Sequence, residues 1–222
     1  LQAVSKLFEL GCPLVILACN TASAKALRTI QQINLPVIDA TRRVLGVIRP
    51  TAECIGEITR SRHVGILATA GTIKSESYLL EIHKLSPDIV VTGEACPMWV
   101  SLVENNEYQS EGADYFVKQH INRLLDKDPM IDTIILGCTH YPLLRSRIMA
   151  YFGESVHIVN PAYETAMDLK KILEEQKIAN TSGEPAAYDF YVSDAAEKFK
   201  KFANSILPYD VDKTQAIDIE DY

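Results

Sequence analysis

Short runs of apolar, β-branched residues, spaced along the chain with helical patterns between them, limit what it can fold into more than any other feature. Leu14-Val15-Ile16-Leu17-Ala18 is continuous and apolar, as a strand covered on both faces requires. Val64-Gly65-Ile66-Leu67-Ala68, Ile89-Val90-Val91, Thr133-Ile134-Ile135-Leu136 and His157-Ile158-Val159 read the same way, and Pro36-Val37-Ile38-Asp39 is expected as a further strand. Between them, residues 75–85 place Tyr78, Leu79, Ile82 and Leu85 at helical spacing, and residues 113–125 carry an apolar stripe from Phe116 to Leu125. Residues 4–10 and 166–173 repeat that pattern. Strand alternating with helix predicts an α/β fold with parallel strands and right-handed crossovers. Beyond the loop at 180–185, a strand over 188–192 and a helix over 195–206 follow, and the acidic segment 209–222 is expected to be a solvated, frayed tail.

At 222 residues and 47% apolar composition the chain can bury one large core or two small ones. Lys and Arg total 22 against 29 Asp and Glu, and this net charge of −7 argues against a nucleic-acid partner. No apolar run reaches the roughly 20 residues of a membrane span, so no membrane partner is expected. The five cysteines lack C-x-x-C spacing, so neither a zinc site nor a dithiol redox pair is expected, and a cytoplasmic protein with reduced thiols is.

Two segments resemble each other. Cys12 to Thr21 and Ile131 to His140 each run from an apolar strand through a small residue to a cysteine and two hydrogen-bonding residues: Ala18-Cys19-Asn20-Thr21 and Gly137-Cys138-Thr139-His140. Each has a helical pattern before it and a strand pattern after it. In parallel sheets ligands collect at the carboxyl ends of strands, beside helix N-termini whose free N–H groups attract anions and favour a thiolate. Two such thiols could flank one small anion, one removing a proton while the other delivers one to the opposite face. A single strand-end cysteine is ordinarily a small buried hydrophobe; the paired context favours chemistry at Cys19 and Cys138, and Cys12, Cys54 and Cys96 lack it. His140 is near enough in sequence to assist Cys138, and Glu104, followed by Asn105 and Asn106, could act as an acid behind it or lie in a surface loop. Arg42, Arg43, Arg60, Arg62, Arg145 and Arg147 are not needed as anion ligands. Arg145 and Arg147, like Lys25 and Arg28, are expected to face solvent.

The segments Ala18-Cys19-Asn20-Thr21-Ala22 and Leu136-Gly137-Cys138-Thr139-His140-Tyr141-Pro142-Leu143-Leu144 resemble the two signature motifs of the glutamate racemases, of the aspartate/glutamate racemase superfamily. Ala68-Thr69-Ala70-Gly71-Thr72 and Cys96 to Glu104 resemble further family segments, and the resemblance runs to about Pro208. It implies two pseudo-symmetric α/β domains with mostly parallel sheets and the active site in the cleft between them. Residues 1–45 and 163–208 would form the first, 46–162 the second, and 209–222 the tail. It implies interconversion of L- and D-glutamate without pyridoxal phosphate, other cofactor or metal, supplying D-glutamate for peptidoglycan, and a homodimer.

By the same resemblance Cys19 and Cys138 would be the catalytic bases, Cys19 acting on D-glutamate and Cys138 on L-glutamate, and His140 and Glu104 are the candidates to assist Cys138. Asn20, Thr21, Thr69, Thr72, Thr139 and His140 bind the substrate. The family's opening F-D-S-G-V-G-G strand and P-Y-G segment are missing, so part of the first domain is expected to be absent ahead of Leu1. Racemisation of aspartate or another amino acid, or an inactive homologue with a binding or regulatory role, are the alternatives. The histidine after Cys138-Thr139 favours glutamate, and both cysteines being present favours an enzyme.

Overall fold

A computed structural model describes residues 1–219. The chain opens with α1 (Gln2–Glu9), β1 (Leu14–Leu17), α2 (Asn20–Thr29), a π-helical turn (Ile30–Asn34), α3 (Leu35–Ile38) and β2 (Arg43–Gly46). Next come α4 (Ile48–Ile58), β3 (His63–Ala68), α5 (Ala70–Lys74), α6 (Ser77–Leu85), β4 (Val90–Ala95), α7 (Pro97–Glu104) and α8 (Glu111–Lys127). Then follow β5 (Thr133–Gly137), a 3₁₀ turn (Tyr141–Leu144), α9 (Arg145–Phe152), β6 (His157–Val159) and α10 (Pro161–Glu175). The described chain ends with β7 (Phe190–Val192), α11 (Ala196–Ile206) and β8 (Thr214–Ala216).

All described strand pairs are parallel, as alternating strands and helices require. The largest sheet has the order β4-β3-β5-β6, and β1 pairs with β2 in a separate two-stranded sheet. Period-two alternation divides the large sheet's side chains between two cores. Leu67, Ile134 and Leu136 pack under α7, α8 and α9 with Trp99, Val117, Ile121 and Leu124. Val64, Ile66 and Ile135 face the opposite way, against Ile48 and Ile55 of α4 and Tyr78 and Ile82 of α6. Both faces are covered, which is why these strands read as continuous apolar runs. The β1–β2 unit has a smaller core of Val4, Phe8, Val15, Ile30, Leu35 and Val44. Arg42 clamps it: Nη1 donates to the carbonyls of Phe8 and Cys12 at 2.7 Å each, Nε donates to Asp39, and the guanidinium lies over the Phe8 ring.

Two expectations change. Pro36 to Asp39 forms no strand: Pro36 has no N–H for a ladder, and residues 35–38 close a helical run that begins at Asn20. Val37 is 85% exposed, so this apolar run lies on the surface, and Arg43–Gly46 pairs with β1 instead. The acidic tail is not wholly frayed, since β8 pairs with β7 and Val211 is fully buried. The part of that expectation on residues 220–222 lies outside the described residues. No helix among the described residues is long and apolar enough to cross a membrane.

Candidate active site

Cys19 follows the carboxyl end of β1 and is the N-cap of α2, in extended conformation and exposed to solvent. Its carbonyl accepts the N–H of Ser23 at 2.9 Å, and the Ser23 hydroxyl donates back to the Leu17 carbonyl at 2.8 Å, tying helix to strand. Cys138 follows the carboxyl end of β5 and is buried. The residue before it must be small: a Cβ on Gly137 would meet the Ala68 Cβ at 2.9 Å. The helix N-terminus expected at Cys138 is not there. The chain turns instead, with the Tyr141 N–H on the Cys138 carbonyl at 3.1 Å, and Pro142 continues it as a 3₁₀ turn. The Tyr141 hydroxyl donates to the Cys96 carbonyl at 2.9 Å and its ring meets Trp99 edge-on at 4.8 Å, so the turn is fixed from beneath.

The electrostatics of Cys138 also depart from expectation. Burial pushes its thiol above the ordinary range, the backbone N–H groups of His140 and Thr139 oppose that, and the negative charges of Cys19 and Glu104 add to it. His140 Nδ1 lies 3.7 Å from Cys138 Sγ, and His140 Nε2 lies 3.4 Å from Glu104 Oε1. Glu104 is the last residue of α7 rather than part of a loop, and is exposed. Cys138, His140 and Glu104 thus form a line from the buried thiol to solvent.

On the Cys19 side three hydroxyls meet. Thr21 Oγ1 lies 2.8 Å from Thr69 Oγ1 and 3.0 Å from Thr72 Oγ1, and Thr69 and Thr72 are 3.1 Å apart. Thr69 caps α5 by accepting the Thr72 N–H. Asn20 is buried, and its Oδ1 accepts the Tyr78 hydroxyl at 2.6 Å. Thr139 is exposed at the mouth of the turn. A cavity of about 270 Å³, walled by Ala18, Asn20, Leu136, Cys138, Thr139 and Asn160, joins the ends of β1 and β5. His140 and Glu104 also border a separate cavity of about 650 Å³ that reaches Lys198 and Phe202 on α11.

The structure therefore brings Cys138, His140 and Glu104 together, and Thr21 with Thr69 and Thr72. Asn20 and Cys138 share one cavity. Sequence reasoning missed Tyr78, which it read as one member of a helix's core stripe, and Asn160, the N-cap of α10. The only available signal for Asn160 was its place just after β6. Of the other cysteines, Cys96 lies in the core beneath the Cys138 turn, where burial raises its thiol, and burial, with Glu164 nearby, pushes the Cys54 thiol up to about 12. Arg62 pairs with Asp88, and Arg147, expected in solvent, is half-buried, donating to the Tyr108 carbonyl at 2.6 Å and pairing with Asp114. No group of three or more His, Cys, Asp or Glu side chains placed to hold a metal ion occurs among the described residues.

The Asp/Glu/hydantoin racemase family profile matches residues 1–168. A glutamate racemase from Geobacter metallireducens is 36% identical over 208 residues, 93% of this chain and 74% of the relative. One from Enterococcus faecalis is 38% identical over 205 residues, 92% of this chain and 72% of the relative. Among solved structures, a glutamate racemase isoform from Bacillus anthracis superposes with a TM-score of 0.89 at 33% identity, covering 98% of this chain and 78% of that one. The Francisella tularensis glutamate racemase, solved with D-glutamate, gives 0.88 at 29% identity, covering 100% of this chain and 79% of that one.

Proposed function

The chain belongs to the Asp/Glu/hydantoin racemase family, among the glutamate racemases, and we propose that it interconverts L- and D-glutamate by proton transfer between two thiols. The observation that carries this reading is the pair Cys19 and Cys138, each just past the carboxyl end of a parallel strand. From D-glutamate, the Cys19 thiolate takes the α-proton, and the C–H electron pair passes into the α-carboxylate as an enolate. The Cys138 thiol then gives its proton to the opposite face, forming the new C–H bond and leaving a thiolate. In the reverse direction that Cys138 thiolate takes the α-proton of L-glutamate and the Cys19 thiol delivers its proton to the opposite face; when Cys138 starts as a thiol, His140 beside it takes the thiol proton, with Glu104 behind the imidazole.

Hydroxyls of Thr21, Thr69 and Thr72, the Asn20 amide, the N–H groups opening α2, and Thr139 with His140 are the donors for the substrate carboxylates. The chemistry calls on no cofactor. In this reading residues 1–45 with 163–208 form one domain, 46–162 the other and 209–222 the tail. The protein works as a cytoplasmic homodimer supplying D-glutamate to peptidoglycan synthesis.

Incubation with L-glutamate in deuterium oxide is expected to give D-glutamate carrying deuterium at the α-carbon. Cys19→Ser and Cys138→Ser are each expected to lower turnover by more than about 10³-fold, within the range for losing a proton-transfer group. Folded protein that leaves the α-hydrogen of both enantiomers unexchanged overturns the reading, and serine variants that keep turnover remove the two-thiol mechanism.

A further inference from the structure

We infer that Tyr78 is a positioning residue that sets which way the Asn20 carboxamide faces, an inference that rests on the glutamate reading above. Asn20 follows Cys19 and opens α2, and its side chain walls the cavity that holds Cys138. A carboxamide offers an oxygen acceptor and a nitrogen donor of almost equal size, so the backbone alone cannot decide which one meets a ligand. Tyr78 decides it from a different element. The phenol stands on α6, 2% exposed, and donates to Asn20 Oδ1 at 2.6 Å, while Asn20 itself is 3% exposed. Burial raises the phenol's pKa and so keeps in place the hydroxyl hydrogen that Oδ1 accepts. With Oδ1 occupied, Asn20 presents Nδ2, which has no acceptor among the described residues. A donor at that point suits an anionic substrate, whereas the flipped amide would present an oxygen to a carboxylate.

Tyr78→Phe removes the hydroxyl and keeps the ring. Because Asn20 would hold a carboxylate present throughout the reaction, its KM for glutamate is expected to rise about tenfold while kcat changes less than about threefold. In an Asn20→Ala background the same change is expected to move KM less than about twofold, since no amide remains to orient. An equal rise in both backgrounds, or an unchanged KM in Tyr78→Phe alone, overturns the inference. The orientation is also read without turnover, in the ¹⁵N–¹H signals of the Asn20 amide. These are expected to shift and broaden in Tyr78→Phe at an unchanged fold, and signals that do not move overturn the inference too. Wild-type protein that neither binds nor racemises glutamate removes the functional reading, and the amide signals then decide the Tyr78 lock alone.

Discussion

The two cysteine half-sites start from nearly the same sequence pattern and end in different environments. Cys19 leaves a two-stranded sheet, caps an α-helix and is open to solvent. Cys138 leaves a strand buried on both faces, enters a 3₁₀ turn and is itself buried beside an imidazole. A repeat in sequence fixes where a group stands on a strand. It does not fix the dielectric around it, which comes from what packs above and below. Burial holds Cys138 toward its thiol form, the form needed to deliver a proton. The widest separation is therefore expected in alkylation of the folded protein: iodoacetamide should label Cys19 about 100-fold faster than Cys138, because attack needs an accessible thiolate. Peptide mass analysis at increasing times measures both rates, and equal rates would erase the asymmetry.

The two sheets differ in the same sense. At the end of the large sheet opposite Cys138, Asp132 accepts the N–H groups of Arg60 and Ser61 at 2.8 and 2.7 Å and the hydroxyls of Thr59 and Thr133. Burial acts to raise this carboxyl, but those hydrogen bonds prevail and bring it down to about 2. A folded pKa below the unfolded value of about 3.9 contributes stability that is complete above the unfolded value and is lost as pH falls toward 2. Asp132→Asn is expected to cost about 2 kcal/mol at neutral pH, the order of a broken buried hydrogen-bond set, and to flatten the acid limb of the stability curve. Urea unfolding between pH 2 and 7 measures both. An unchanged acid limb would show that Asp132 does not anchor this sheet.

The same contrast separates what was legible in the sequence from what was not. Strands of the large sheet were legible because a strand covered on both faces must be apolar throughout, as Val64 to Ala68 and Ile134 to Leu136 are. The smaller unit was misread at Pro36 to Ile38, where an apolar run is exposed and the strand forms later, at Arg43. Residues 14–21 and 131–140 showed that two thiols stand at strand ends. They could not show that one ends in a helix cap and the other in a turn, because the 3₁₀ turn after Cys138 contains Pro142 and is held by Tyr141 packing onto Trp99. Tyr78 stayed hidden for a related reason. A tyrosine on an apolar helix stripe reads as core, and its hydroxyl partner is far away in sequence.

The smallest effects concern the line from Cys138 to solvent, and they sharpen the comparison because among the described residues Cys138 has such a line and Cys19 has none. The imidazole lies 3.7 Å from Sγ and acts through the thiol, so His140→Asn is expected to lower kcat/KM about tenfold, less than the roughly 10²-fold or more of a group that itself transfers the proton. Glu104 acts one step further out, through an exposed contact of 3.4 Å worth at most about 1 kcal/mol, so Glu104→Gln should lower kcat/KM only about threefold. Either loss must be equal from both enantiomers, since the equilibrium constant of racemisation is one. Isotope effects can still tell the half-sites apart. Slowing the Cys138 step makes it more rate-limiting, so the effect measured with α-deuterated L-glutamate should grow while that with α-deuterated D-glutamate shrinks. The shifts should be larger in His140→Asn than in Glu104→Gln. If instead the two isotope effects rise or fall together, His140 serves both thiols and the half-sites are chemically equivalent despite their unlike burial.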